Sequence, residues 1–154
     1  MKYKSVRTAA KAVIIQEGRL LCVKKQQADK IYFLLPGGGQ HHGETLIQTL
    51  QRECLEEIGA EVNVYQALHV REYIGKNHQW GNQSLHQVEV LFSCTLKFPH
   101  LPLFKTTMAS DKYQVGIEWV ELSKLAQLTF YPAALIPILG TVSSNQFSYL
   151  GDID

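Results

Sequence analysis

The stretch from Leu35 to Ala60, LPGGGQHHGETLIQTLQRECLEEIGA, constrains this chain more than any other. Pro36 and the consecutive Gly37, Gly38 and Gly39 block both helix and regular strand, so they predict a tight loop that something approaches closely. A helix follows at once. Thr45 with Gln48 reads as a capping box, Leu46 to Ile58 holds no Gly or Pro, and Gly59 stands where a left-handed C-terminal cap belongs. Rotation of about 100° per residue puts Glu53 and Glu57 on one face, with Glu56 a short way round. Leu46, Ile47, Leu50, Cys54 and Ile58 form a broad apolar side, which leaves the acids at its edge.

Three carboxylates in one sector repel one another, and Arg52 alone does not neutralise them. A hard divalent cation such as Mg²⁺ or Mn²⁺, which takes oxygen ligands, suits them. Acid-rich helix faces are mostly just solvated. The whole pattern says more than the acids do. Gly38, five residues, Glu44, seven residues, then Arg52, Glu53, Glu56, Glu57 and Gly59 resembles the box of the Nudix hydrolases, G-x5-E-x7-R-E-U-x-E-E-x-G-U, with U a bulky aliphatic residue. All charged and glycine positions match. Cys54 and Ala60 are smaller than the usual U residues, which touches packing and not chemistry.

The length of 154 residues predicts one domain spanning residues 1–154 with a real core. A net charge of +1 gives no argument for nucleic-acid or membrane-surface binding, and neither is expected as a partner. Without a leader-like start or a long apolar run, the expectation is a soluble, cytoplasmic protein. Cys22, Cys54 and Cys94 are widely spaced in apolar sequence and read as reduced core residues.

Arg7 to Gln16 and Arg19 to Lys24 read as strands joined by a Glu17-Gly18 turn. Lys24 to Lys30 reads as a polar loop, and Ile31 to Leu35 as a strand feeding the glycines. Beyond the helix, Glu61 to Ile74 and Leu85 to Phe98 read as strands separated by a long loop, and Pro99 to Gly116 as a loop. Ile117 to Val120 is a last short strand, with a helical turn from Ser123 and a helix over Ala133 to Leu139 started by Pro132 and ended by Gly140. Strands on both sides of a central helix give an α/β class, a mixed sheet covered by helices. The resemblance implies the Nudix fold, an α/β/α sandwich with a mixed β-sheet between helices.

A diphosphate is a poor electrophile because its oxygens are already anionic, so its hydrolysis needs charge neutralisation, in-line positioning and an activated water. Metal held by Glu53, Glu56 and Glu57 supplies these, with Gly37, Gly38 and Gly39 cradling substrate phosphates. Arg52 orients carboxylates, and the resemblance gives Glu44 the support of Arg52 or the metal shell. Glu57 is the favoured general base, with Glu89, Asp111 and Glu118 as alternatives. Tyr32, Phe33, Tyr73 and Trp80 are candidates to stack on a base, Trp80 foremost because it stands in a polar loop. Arg7, Lys24, Lys25 and Arg71 are candidates for phosphate, and His41 and His42 read as loop residues.

The resemblance implies a nucleotide-derived small-molecule substrate, a nucleoside diphosphate linked to another moiety. The proline that marks one subgroup is absent, with Gly75-Lys76 near its place, and the tyrosine that marks another is not in register, although Tyr73 is nearby. ADP-ribose-like compounds lead on overall resemblance, with a MutT-type nucleoside triphosphate activity as the alternative. A non-catalytic sensor on the same fold is the other class, though a sensor has no need of every box acid. Family members often form homodimers, and no stretch of this chain marks an interface.

Overall fold

In a computed structural model, residues 4–106, 111–140 and 147–154 are described. Among the described residues nine strands form two sheets. One is five-stranded and mixed, in the order β5 (Gly37–Gly39), β1 (Arg7–Val13), β7 (His86–Leu96), β6 (Val62–Ile74), β9 (Ser148–Asp152). The other centres on β3 (Arg19–Gln27), flanked on one side by β2 (Ile15–Gln16) and β4 (Lys30–Leu34) and on the other by β8 (Gln114–Glu121). Helix α1 (Leu46–Ile58) covers one side. The short 3₁₀ turns at Leu122–Gln127 and Ala133–Leu135 and helix α2 (Ile136–Leu139) cover the other.

The box helix forms as its sequence dictates. The Thr45 hydroxyl accepts from Gln48 N–H and the Gln48 side chain accepts from Thr45 N–H, while Gly59 closes the helix in the left-handed region at φ 63°. Such a cap contributes about 1 kcal/mol. Leu50, Cys54 and Ile58 are buried against Ala10, Ala12, Phe92 and Cys94, and each large aliphatic side chain so buried contributes about 1.5–3 kcal/mol. Ile47, expected on the apolar side, is exposed instead, and Thr49 takes the buried place. Burial of Thr49 is tolerable because its hydroxyl bonds both Glu44 Oε2 (2.8 Å) and Thr45 O (3.1 Å). All three cysteines are free and buried, as expected.

Four local expectations need correction. The glycines form strand β5, paired antiparallel to β1, because the missing side chains let the two backbones meet: a Cβ on Gly37 would lie 2.1 Å from Ala10 O. The polar run after Lys24 continues β3 to Gln27, since β4 and β8 pair both its edges and offer its polar residues backbone partners. Strand β8 begins at Gln114, inside the expected loop, of which residues 107–110 lie outside the described residues. The expected helix over Ala133 to Leu139 is a 3₁₀ turn before four α-helical residues, with Pro132 at the cap. Strand β9 had no forerunner in the sequence reading. It pairs parallel to β6 around Gly151 at φ 77°, a pattern without periodicity of its own. Among the described residues no helix is long and apolar enough to cross a membrane.

Candidate active site

Strands β1 and β5, helix α1 and the β3 edge meet around a cleft of about 440 Å³. Arg7, Lys11, Lys25, Arg52 and Asp111 line it together with Gly37, Gly38, Glu53, Glu56 and Glu57. The acids project from the C-terminal half of α1, where the helix dipole is negative and no basic residue occupies the last turn. This helix therefore presents its charge against its own field, which favours a cation in the cleft.

Arg52 organises the acids. Glu44 grips its guanidinium through Oε1 to Nε (2.6 Å) and Oε2 to Nη2 (3.1 Å), and Gly39 O accepts from Nη2 (3.0 Å). The remaining nitrogen, Nη1, lies 3.0 Å from Glu53 Oε1 and 3.6 Å from Glu56 Oε1. The hydrogen bond from Arg52, followed by that from His41 N–H, holds the Glu44 carboxyl down at about 2. Glu44 and Gly39 thus act from outside the lining. His41 lines the cleft, and His42 is exposed beside it.

Glu57 is the distinctive acid. Its Oε2 accepts from Gly37 N–H at 3.1 Å. Desolvation pushes its carboxyl up to about 7, although Lys11 and the Gly37 N–H pull the other way. The absent side chain of Gly38 makes room for Glu53, since a Cβ there would lie 2.6 Å from the Glu53 carboxyl carbon. The donors are all carboxylate oxygens, the set that Mg²⁺ or Mn²⁺ takes. Among the described residues no three acidic, His or Cys side chains already converge on one point. A cation there would compete with Arg52 for Glu53 and Glu56.

The sequence reading overlooked Lys11, Gln87 and Gln114. Lys11 Nζ donates to Gly37 O (3.2 Å) and to Leu35 O (3.4 Å), which ties β1 to the box and brings its charge near Glu57. The signal was a lone lysine inside the apolar run TAAKAV. Gln114 Nε2 donates to Glu57 O (2.7 Å). Lys25 lines the cleft paired with Asp111, whereas Lys24 turns away to Glu118 (2.8 Å), taking that candidate base with it. Glu89 is buried. Burial opposes its charge, yet Lys11 and Arg71 hold its carboxyl below the ordinary value.

Arg71 and Trp80 stand elsewhere. They line a second cleft of about 400 Å³ with Tyr32, Tyr73, Tyr131 and Lys30. Arg71 is 8% exposed, and its fork is engaged by Glu89 (Nε to Oε1, 2.9 Å) and Ile153 O (Nη1, 2.8 Å), so it is a paired wall residue. Phe33 is core. The clefts are neighbours, because Arg7 pairs across strands with Gln87 and Gln87 with Tyr73, while Ala9, Glu89 and Arg71 form the next row on the same face.

Comparison with solved structures gives the same architecture. An ADP-ribose pyrophosphatase from Streptococcus suis superposes with a TM-score of 0.67 at 17% identity, covering 95% of this chain and 100% of that one. A MutT protein from Bacillus halodurans gives 0.70 at 18% identity, covering 95% and 88%. A UDP-X diphosphatase gives 0.69 at 18% identity, covering 96% and 69%. At these identities the likeness shows the fold. No curated protein matches the sequence. The model of the NUDIX domain matches residues 6–139, nearly the whole chain and the entire box, and the chain belongs to the Nudix hydrolase family.

Proposed function

We propose that the protein hydrolyses the diphosphate linkage of a nucleoside diphosphate joined to another moiety, with ADP-ribose-like compounds as the leading substrate class and Mg²⁺ or Mn²⁺ as cofactor. The observation that carries this reading is the opening of Glu53, Glu56 and Glu57 into one cleft with Arg7, Lys11 and Lys25. Acids for a metal stand there on α1, and cations for phosphate oxygens on β1 and β3. The adjacent aromatic cleft suits a group attached to the diphosphate. The relatives named for ADP-ribose and UDP-linked substrates support a diphosphate joining two groups, and the MutT relative keeps nucleoside triphosphates as the alternative.

In this reading Glu53, Glu56 and Glu57 hold the cation, which supplies positive charge against the diphosphate oxygens and makes water more acidic. Arg52, fixed by Glu44 and Gly39 O, orients Glu53 and Glu56. The backbone of Gly37 and Gly38 lets phosphate oxygens come close, and Arg7 and Lys25 meet their charge. Glu57 accepts the proton from the attacking water.

The test is product analysis by chromatography for ADP-ribose, a UDP-sugar and a nucleoside triphosphate, each with Mg²⁺ and with chelator. Metal-dependent conversion of ADP-ribose to AMP and ribose 5-phosphate is expected. Glu57→Gln is expected to lower kcat by about 10²-fold or more with the melting temperature preserved. Release of pyrophosphate from the triphosphate alone would replace the ADP-ribose assignment with the MutT type. Binding without cleavage would make the protein a sensor.

A further inference from the structure

The Nudix box accounts for the first cleft but names no residue that would hold a substrate group in the second. Its outer wall is the loop after β6, and that loop is built firmly. Gly75 N–H donates to Leu85 O (2.9 Å), Gly81 N–H to His78 O (3.1 Å) and Leu85 N–H to Asn82 O (3.0 Å). A Cβ on Gly75 would lie 1.9 Å from Asn82 O, and one on Gly81 would lie 2.2 Å from Gly75 O, so the two arms of the loop touch backbone to backbone. At its tip Trp80 has a φ of 66°, a conformation that bulky side chains rarely adopt. The indole is 93% exposed. An ordered loop that holds a large ring in strained backbone, in water, at the rim of a cleft gains nothing for the fold from that ring.

The C-terminal strand fixes this loop. The Asp152 carboxylate accepts from Ile74 N–H (2.9 Å) and Asn77 Nδ2 (2.9 Å), and its Oδ1 lies 2.6 Å from His78 Nε2. His78 in turn stacks on Tyr73, with centroids 5.0 Å apart and planes at 9°. One carboxylate thus gathers both ends of the turn that leads to Trp80. Tyr32, Tyr73 and Tyr131 line the cleft beside the polar Gln27, Lys30, Arg71, Gln79 and Asp154, and Tyr32 and Tyr131 meet edge to face at 5.8 Å. His78 covers one face of Tyr73 and Lys30 lies over Tyr131, so the exposed Trp80 is the ring with an open face, and a nucleotide offers a planar partner in its base.

We propose that Asp152 positions Trp80 over the second cleft and that the indole stacks there on the aromatic base of the substrate. The inference rests on the hydrolase reading, because it assigns the base of a nucleotide whose diphosphate lies in the neighbouring cleft. Trp80 is the contact and Asp152 the positioning residue. Since Asp152 belongs to β9, the C-terminal strand sets the base subsite although it is remote in sequence from the box.

The test combines kinetics on ADP-ribose with intrinsic fluorescence of the full chain. Trp119 is the second indole, and Trp80→Phe isolates its signal. AMP, added with chelator, is expected to quench the wild-type emission and to lose that effect in Trp80→Phe, which still binds AMP by calorimetry. Trp80→Ala is expected to raise KM and weaken AMP roughly ten- to a hundredfold, with kcat falling far less, while ribose 5-phosphate, which has no base, binds equally to both. Asp152→Asn is expected to shift the Trp80 emission of the free protein and raise KM in the same direction, and Trp80→Phe to restore most of the KM lost in Trp80→Ala. Because the indole is exposed, its removal leaves the fold intact. If the wild type cleaves ADP-ribose and Trp80→Ala matches it in KM and AMP affinity, the base assignment is wrong. If the wild type cleaves nothing yet AMP binding depends on Trp80, the hydrolase reading fails and the stacking site stands.

Discussion

Glu44 acts on the cleft through Arg52. Both of its oxygens are engaged, Oε1 by Arg52 Nε and Oε2 by Arg52 Nη2, Thr49 Oγ1 and His41 N–H, so its charge is fully committed inside the protein. The Arg52 hydrogen bond first, and then His41 N–H, lower its carboxyl from 4.5 to about 2. On acidification the unfolded chain therefore takes up the proton before the folded one does. The stabilisation is complete above about 4.5 and is lost as the pH falls toward about 2. Glu44→Gln is expected to melt below the wild type at neutral pH, with the two curves converging across that acid window in melts run from pH 7 to pH 2. A constant gap throughout would remove the ionised Glu44 from the account. The pairing was legible in part: the family resemblance offered Arg52 or the metal shell as what Glu44 supports, while the grip of Gly39 O on Arg52 depends on a strand that the glycines did not announce.

Among the elements, β5 and α1 show where sequence reading succeeds and where it stops. Local rules fixed α1 at both ends, because Thr45, Gln48 and Gly59 act within a few residues of one another. Strand β5 was hidden, since its glycines carry no pattern and its register against β1 is set by backbone contact. Those glycines have different tasks, and a pair of substitutions separates them. A methyl on Gly37, where φ is 132°, meets the Ala10 backbone at 2.1 Å, so β1 or β5 must move. The nearest atoms to a methyl on Gly38 all belong to the Glu53 carboxyl group, at 2.6 to 2.8 Å, the far end of a flexible side chain. Gly37→Ala is expected to destabilise the protein by about 2 kcal/mol or more in urea unfolding. Gly38→Ala is expected to keep the wild-type midpoint but lose metal-dependent turnover, because Glu53 is displaced. Equal losses of stability in the two variants would show that β5 tolerates no side chain for reasons of packing alone.

Across the whole molecule, one polar chain joins the two clefts. Arg7 Nη1 donates to Gln87 Oε1 (3.0 Å), Gln87 Nε2 to Glu89 Oε2 (2.8 Å), Arg71 Nε to Glu89 Oε1 (2.9 Å) and Arg71 Nη1 to Ile153 O (2.8 Å). It ties β1, β7, β6 and the C-terminal segment side by side. Sequence reading took Arg71 for a phosphate contact because its partner lies 18 residues away and faces it only through the register of β6 and β7. Arg71 and Glu89 are 8% and 3% exposed, so removing either strands a buried charge at a cost of about 3–5 kcal/mol, whereas replacing both by apolar groups is often nearly neutral. Glu89→Leu alone is therefore expected to lower the unfolding free energy by about that amount, and Arg71→Met with Glu89→Leu to recover most of it. The recovered double variant should still bind its substrate more weakly, because the wall of the second cleft and its tie to the C-terminal segment are gone. Urea unfolding of the two variants, with KM for the double, separates the roles. A double variant as unstable as the single would make the pair a source of stability, and recovery of stability together with a raised KM would make it the spacer that holds the clefts in register.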